Sequence, residues 1–137
     1  MKKRILKIAT VLLLSTLAGP LYARGFHDGV SAYEKGDLKG ALQAWRPAAE
    51  QGDMLAQFNL GALYEHGRGV KKDLAEAAKW YRKAAEQGNA LAQYYLGNLY
   101  ANGEGVEKNL PEATAWYRKA AAQGVPQAQE ALSKLSK

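Results

Sequence analysis

A stretch of nine residues, Trp80-Tyr-Arg-Lys-Ala-Ala-Glu-Gln-Gly88, returns 36 positions later with one change, as Trp116-Tyr-Arg-Lys-Ala-Ala-Ala-Gln-Gly124. A second stretch keeps the same offset. Asp53-Met-Leu-Ala-Gln-Phe-Asn-Leu-Gly-Ala-Leu-Tyr64 returns as Asn89-Ala-Leu-Ala-Gln-Tyr-Tyr-Leu-Gly-Asn-Leu-Tyr100. Repetition at this period points to small units that cannot bury an apolar face alone and must stack on one another. Two full units follow, 53–88 and 89–124. Upstream, Trp45-Arg-Pro-Ala-Ala-Glu-Gln-Gly52 closes an earlier unit of about 25–52, with Trp45 in the place of Tyr81. Downstream, Val125-Pro-Gln-Ala-Gln-Glu-Ala-Leu132 opens another, which is left as a capping helix within 125–137.

Each unit reads as two antiparallel helices. Ala56, Leu60, Leu63 and Tyr64 fall on one helical stripe, and Leu74, Ala77, Ala78, Tyr81 and Ala85 on another. Gly61 and Gly97 lie mid-helix at a cost of about 1 kcal/mol each against Ala. They are expected where a neighbouring helix comes too close for a Cβ. The connection Gly67-Arg-Gly-Val-Lys-Lys-Asp73 returns as Gly103-Glu-Gly-Val-Glu-Lys-Asn109, its glycines suited to a reversal. Asp73 with Glu76, and Asn109 with Glu112, have the spacing of a capping box. Gly52, Gly88 and Gly124 stand where a helix end takes a left-handed residue. Asp53 and Asn89 then cap the next helix. Pro47 falls inside a helix and is expected to kink it, whereas Pro126 suits a first turn. The fold predicted is all-α: a right-handed α-solenoid of antiparallel helix pairs, about seven helices within 24–137, with a polar lid at about 126–135.

The first residues have another character. Lys2, Lys3, Arg4 and Lys7 precede the apolar run Ile8–Ala18, then Gly19-Pro20 and Leu21-Tyr22-Ala23. This is the three-part pattern of a signal peptide, 1–23, cut after Ala23. The apolar run is shorter than the roughly 20 residues a spanning helix needs. Removing 1–23 leaves 15 basic against 13 acidic side chains. The formal charge of +6 for the whole chain is therefore no argument for nucleic acid or an anionic membrane. With no cysteine, a lipid-modified anchor, a disulfide framework and thiolate metal sites are excluded. The expected location is periplasmic or secreted, as in an exported bacterial protein without a stable membrane anchor after cleavage.

The pattern Ala-Gln-x-x-Leu-Gly-x-x-Tyr-x-x-Gly-x-Gly-Val, followed by Ala-x-x-Trp-Tyr-Arg-Lys-Ala-Ala-x-Gln-Gly, resembles the Sel-one-like repeat, a relative of the tetratricopeptide repeat. The resemblance covers nearly all of 25–135. The opening unit departs from it, with a tight turn between Glu34 and Asp37 where later units carry the long glycine-rich connection. The resemblance implies a scaffold or adaptor that presents a concave helical surface to a protein or peptide. It also places Phe58, Ala62, Glu65 and His66 toward that groove, and in the next unit Tyr94, Asn98, Ala101 and Asn102. Aromatic rings and amides of this kind can anchor a peptide. Phe58 and Tyr94 could equally pack between helices.

No residue pattern supports catalysis. Ser31, Ser133 and Ser136 lack a partnering motif, and His27 and His66 lie in different units with no metal-ligand spacing. The Gly-x-Gly connections follow helices and lack either nucleotide fingerprint. Cysteine-rich members of the family are linked to penicillin binding, and this chain lacks their cysteines. A cofactor, a metal and nucleic acid are therefore not expected. Alternative readings are a self-assembling envelope protein, with solenoid end faces giving weak self-association of a monomer, and a peptidoglycan-active hydrolase.

Overall fold

The computed structural model describes residues 24–137; the signal peptide expected at 1–23 lies outside the described residues. Short polar caps set where five of the helices begin. The side chains of Asp37, Asp53, Asp73, Asn89 and Asn109 each accept the amide of the third residue beyond, at 2.8–3.1 Å. They open α2 (Leu38–Glu50), α3 (Met54–His66), α4 (Leu74–Glu86), α5 (Ala90–Asn102) and α6 (Leu110–Ala122). The described part of α1 covers 24–34, and α7 runs Pro126–Leu135 with Pro126 in its first turn. These seven helices, with no strand among the described residues, form an α-solenoid of hairpins. α2 continues through Pro47 to Glu50.

The capping box is only half made. Glu76 and Glu112 donate their backbone amides to Asp73 and Asn109, but their carboxylates do not return to the cap. The cap amides are already taken, Asp73 N–H by the Tyr64 carbonyl and Asn109 N–H by that of Tyr100. Each glutamate instead accepts the indole N–H of Trp80 or Trp116 at 3.1 Å. The swap gives a buried indole its partner, which it needs away from water.

The mid-helix glycines admit a tyrosine. A Cβ at Gly61 would stand 2.7 Å from Tyr81 Cδ1, and one at Gly97 2.7 Å from Tyr117 Cδ1. In the first unit Gly29 faces Trp45 in the same way. Elsewhere the helices approach on alanines, including Ala41, Ala56, Ala77, Ala84, Ala92 and Ala120, all fully buried.

Two sets of polar side chains tie one unit to the next. Buried Gln57 donates to the Ala49 carbonyl at 3.1 Å and accepts from Gln87 at 2.7 Å, while Gln87 also donates to the Gly52 carbonyl. Gln93, Gln123, Ala85 and Gly88 repeat the arrangement. Among the described residues no buried side-chain polar atom lacks a partner. The second tie is an arginine on a tyrosine: Arg46 donates to the Tyr64 hydroxyl and lies over its ring, and Arg82 does the same to Tyr100. Each connection also roofs the preceding unit, Gly69 against Leu38 and Gly105 against Leu74. Leu110, next in that series, is 44 % exposed. No helix among the described residues is long and apolar enough to cross a membrane.

Candidate partner-binding surface

The groove positions inferred from sequence sit on α3 and α5, and the structure divides them. Phe58, Ala62 and His66 line one pocket of about 430 Å³. Its other wall is Val30 and Tyr33 of α1 and Trp45 of α2, and Arg68 stands beside it on the connection after α3. Glu65, beside His66 in sequence, does not line it. Its carboxylate accepts the hydroxyl of Tyr81.

Tyr94 and Asn98 belong to the other end. The Tyr117 hydroxyl donates to Asn98 Oδ1 at 2.6 Å, and the Tyr94 ring lies 6.0 Å from that of Tyr117. Asn102 is exposed at the end of α5, and Ala101 is half-buried. Phe58 and Tyr94 are joined by a seam of rings. Phe58 is 5.8 Å from Tyr81 and 6.0 Å from Tyr95; Tyr81 stacks on Tyr95 at 5.6 Å and 18°; Tyr95 lies 5.3 Å from Tyr94. Both half-buried residues therefore pack between helices and still reach the surface. Offset pairs at such spacings add about 0.5–1.5 kcal/mol each beyond their burial.

The same packing settles the state of two tyrosines. Burial raises the Tyr81 hydroxyl well above the usual phenol range, with the hydrogen bond and charge of Glu65 adding to it and Tyr95 contributing last. Burial, then Tyr94, pushes Tyr117 up to about 12. Both hydroxyls act as neutral hydrogen-bond donors in this packing. No group of three or more His, Cys, Asp or Glu that could hold a metal occurs among the described residues. The pocket has a mainly apolar lining, part aromatic and part aliphatic, with Asn59, His66, Arg68 and the Tyr33 hydroxyl as its polar groups. Such a lining suits the binding of an apolar group.

The groove positions inferred from sequence did not include Tyr33, Trp45 or Arg68. Signals for two of them were present, in the exchange of Tyr for Trp at position 45 and in Arg68 standing where the next unit has Glu104.

The family model for the Sel1 repeat matches residues 55–89 and 90–125. Among solved structures, a Sel1 repeat protein from Oxalobacter formigenes is 40 % identical with a TM-score of 0.73, the match covering 78 % of this chain and 44 % of that one. The protein c5321, a protective antigen present in uropathogenic Escherichia coli strains displaying an SLR fold, is 37 % identical with a TM-score of 0.76, over 87 % of this chain and 27 % of that one. Helicobacter pylori cysteine rich protein B is 28 % identical with a TM-score of 0.65, over 81 % of this chain and 94 % of that one. The chain thus spans less than half the length of the first two. No curated protein matches it.

Proposed function

The chain belongs to the Sel1 repeat family, and from that premise we propose that it is an exported, non-catalytic adaptor that binds a protein partner through the inner face of α1, α3 and α5. The observation that carries this reading is the pocket on that face, walled by Tyr33, Trp45 and Phe58 and kept open by the small side chain of Ala62. Aromatic side chains around a concavity, here exposed Tyr33, half-buried Phe58 and buried Trp45, are what a peptide side chain can pack against, and such anchors supply most of the energy of an interface. The basic start and apolar run of residues 1–23 support export to the periplasm or beyond.

The test is affinity capture from periplasmic extract, with captured proteins identified by mass spectrometry. Ala62→Trp fills the pocket from one wall, so a partner held by wild type should be lost while the circular dichroism of the variant stays helical. The same partner captured equally by both would remove the pocket from the reading.

A further inference from the structure

Resting on the adaptor reading, the geometry points to the chemistry of the occupant: we propose that the pocket takes an apolar side chain from a peptide segment of another protein, and that Arg68 holds an acidic side chain next to it in that segment. The guanidinium of Arg68 lies over the Tyr33 ring, 5.0 Å from its centroid, and donates to the Tyr33 hydroxyl. Stacking fixes the group without neutralising it, since an arginine has five N–H donors and Tyr33 accepts from one nitrogen. The four ion pairs among the described residues do not include Arg68. None of the pocket-lining residues is acidic, and His66 and Asn59 are its other polar groups. A cation ordered at the edge of an apolar cavity, with no carboxylate of its own, is complementary to a ligand that brings both.

The equivalent place one repeat further along shows that this polarity is local. At the positions matching Tyr33 and Arg68, counted on the glycine that faces the ring residue and along the connection, it has Glu65 and Glu104. At the position matching Ala62 it has Asn98, which is bonded to Tyr117. The wall that is aromatic and cationic at one end of the inner face is thus acidic and closed by an amide one unit later. An acidic segment is drawn to the first and repelled from the second, which fixes where along the solenoid it sits. A basic segment would be placed the other way round.

An array of short random peptides, amidated so that no terminal carboxylate contributes, is probed with the purified protein, with its Arg68→Glu variant and with Ala62→Trp. Expected for wild type is enrichment of Asp or Glu next to Leu, Phe or Trp. The best such peptide should bind Arg68→Glu about tenfold or more weakly by fluorescence anisotropy, and that variant should favour Lys or Arg in the acidic place. Arg68→Ala, which removes the charge without reversing it, should fall between. Binding that Ala62→Trp abolishes but that shows no acidic preference would overturn this inference and leave the adaptor reading standing. An array in which no peptide is sensitive to Ala62→Trp would overturn both. Position 68 is exposed and its glutamate has a natural counterpart at 104, so loss of the fold does not confound the charge reversal.

Discussion

The units 53–88 and 89–124 agree down to single hydrogen bonds in the frame and disagree on the inner face. In both, an Asp or Asn caps each helix, a Glu takes a Trp indole at 3.1 Å, a Gln pair bridges to the preceding unit and a Tyr ring fills the gap at a glycine. The differences begin at that ring. Tyr81 gives its hydroxyl to Glu65 and is flanked by Phe58 and Tyr95; Tyr117 gives its hydroxyl to Asn98 and has Tyr94, with Ala131 at the position matching Tyr95. Residues that join helices are held by contacts on both sides and repeat. Residues whose contact has several solutions are free to differ, and binding specificity can be written only there. The comparison also shows that an identical residue is not worth the same in each unit, because its value depends on what the next helix brings.

The largest expected effect follows directly. Tyr81→Ala empties the centre of the aromatic seam and should cost about 3–5 kcal/mol, as truncation of a buried aromatic does. Tyr117→Ala, with one ring fewer beside it, should cost about 1–2 kcal/mol less. Urea unfolding followed by circular dichroism measures both. Equal losses would show that the second flanking ring adds nothing and that the units are energetically alike.

A smaller effect tests the tie between units. Arg82 donates to Tyr100, lies over its ring and stands 4.0 Å from Glu112. Arg118 occupies the matching place in the next unit, but the position matching Tyr100 is Ser136. Arg82→Ala should cost about 1 kcal/mol, whereas Arg118→Ala should stay within about 0.5 kcal/mol of wild type. A loss at Arg118 as large as that at Arg82 would mean the arginine acts within its own unit instead of across the joint.

The fold was legible because repetition multiplies weak signals: a glycine, a cap and an apolar stripe mean little once and much when they return at a fixed offset. What that reading missed are contacts that need three dimensions. The spacing of Asp73 with Glu76 fitted a capping box, yet the Tyr64 carbonyl, supplied by the preceding helix, had already taken the cap amide. Ala-Gln and Gln-Gly were seen as motif letters, and only the structure shows Gln57 and Gln87 bonded to each other. At the inner face, Phe58 and Tyr94 could be assigned to a side of a helix but not to a neighbour, since the seam runs through four helices. Tyr33 was hidden for a different reason. The shorter turn of the first unit shifts the register by four residues, so an offset of 36 never aligns it with Glu65.

The mildest effect, shared by the two rings, uses pH. Tyr117 is pushed up to about 12 in the folded chain, against about 10 for an unfolded tyrosine. Between those values the unfolded chain has given up a proton that the folded one keeps, so stability falls as pH rises, and the whole contribution is present below about 10. Tyr81 is raised further, because the Glu65 carboxylate adds to burial and disfavours a second negative charge beside it. Urea midpoints measured from about pH 9 to pH 11 should therefore drop less steeply for Tyr117→Phe and for Tyr81→Phe than for wild type, and by similar amounts, because both hydroxyls keep their proton in the folded chain across that window. Loss of a hydroxyl hydrogen bond lowers the whole curve without changing its slope, so the slope isolates the ionisation. Parallel curves for the three proteins would mean that neither ring resists ionisation and that the packing around Tyr81 is looser than the seam requires.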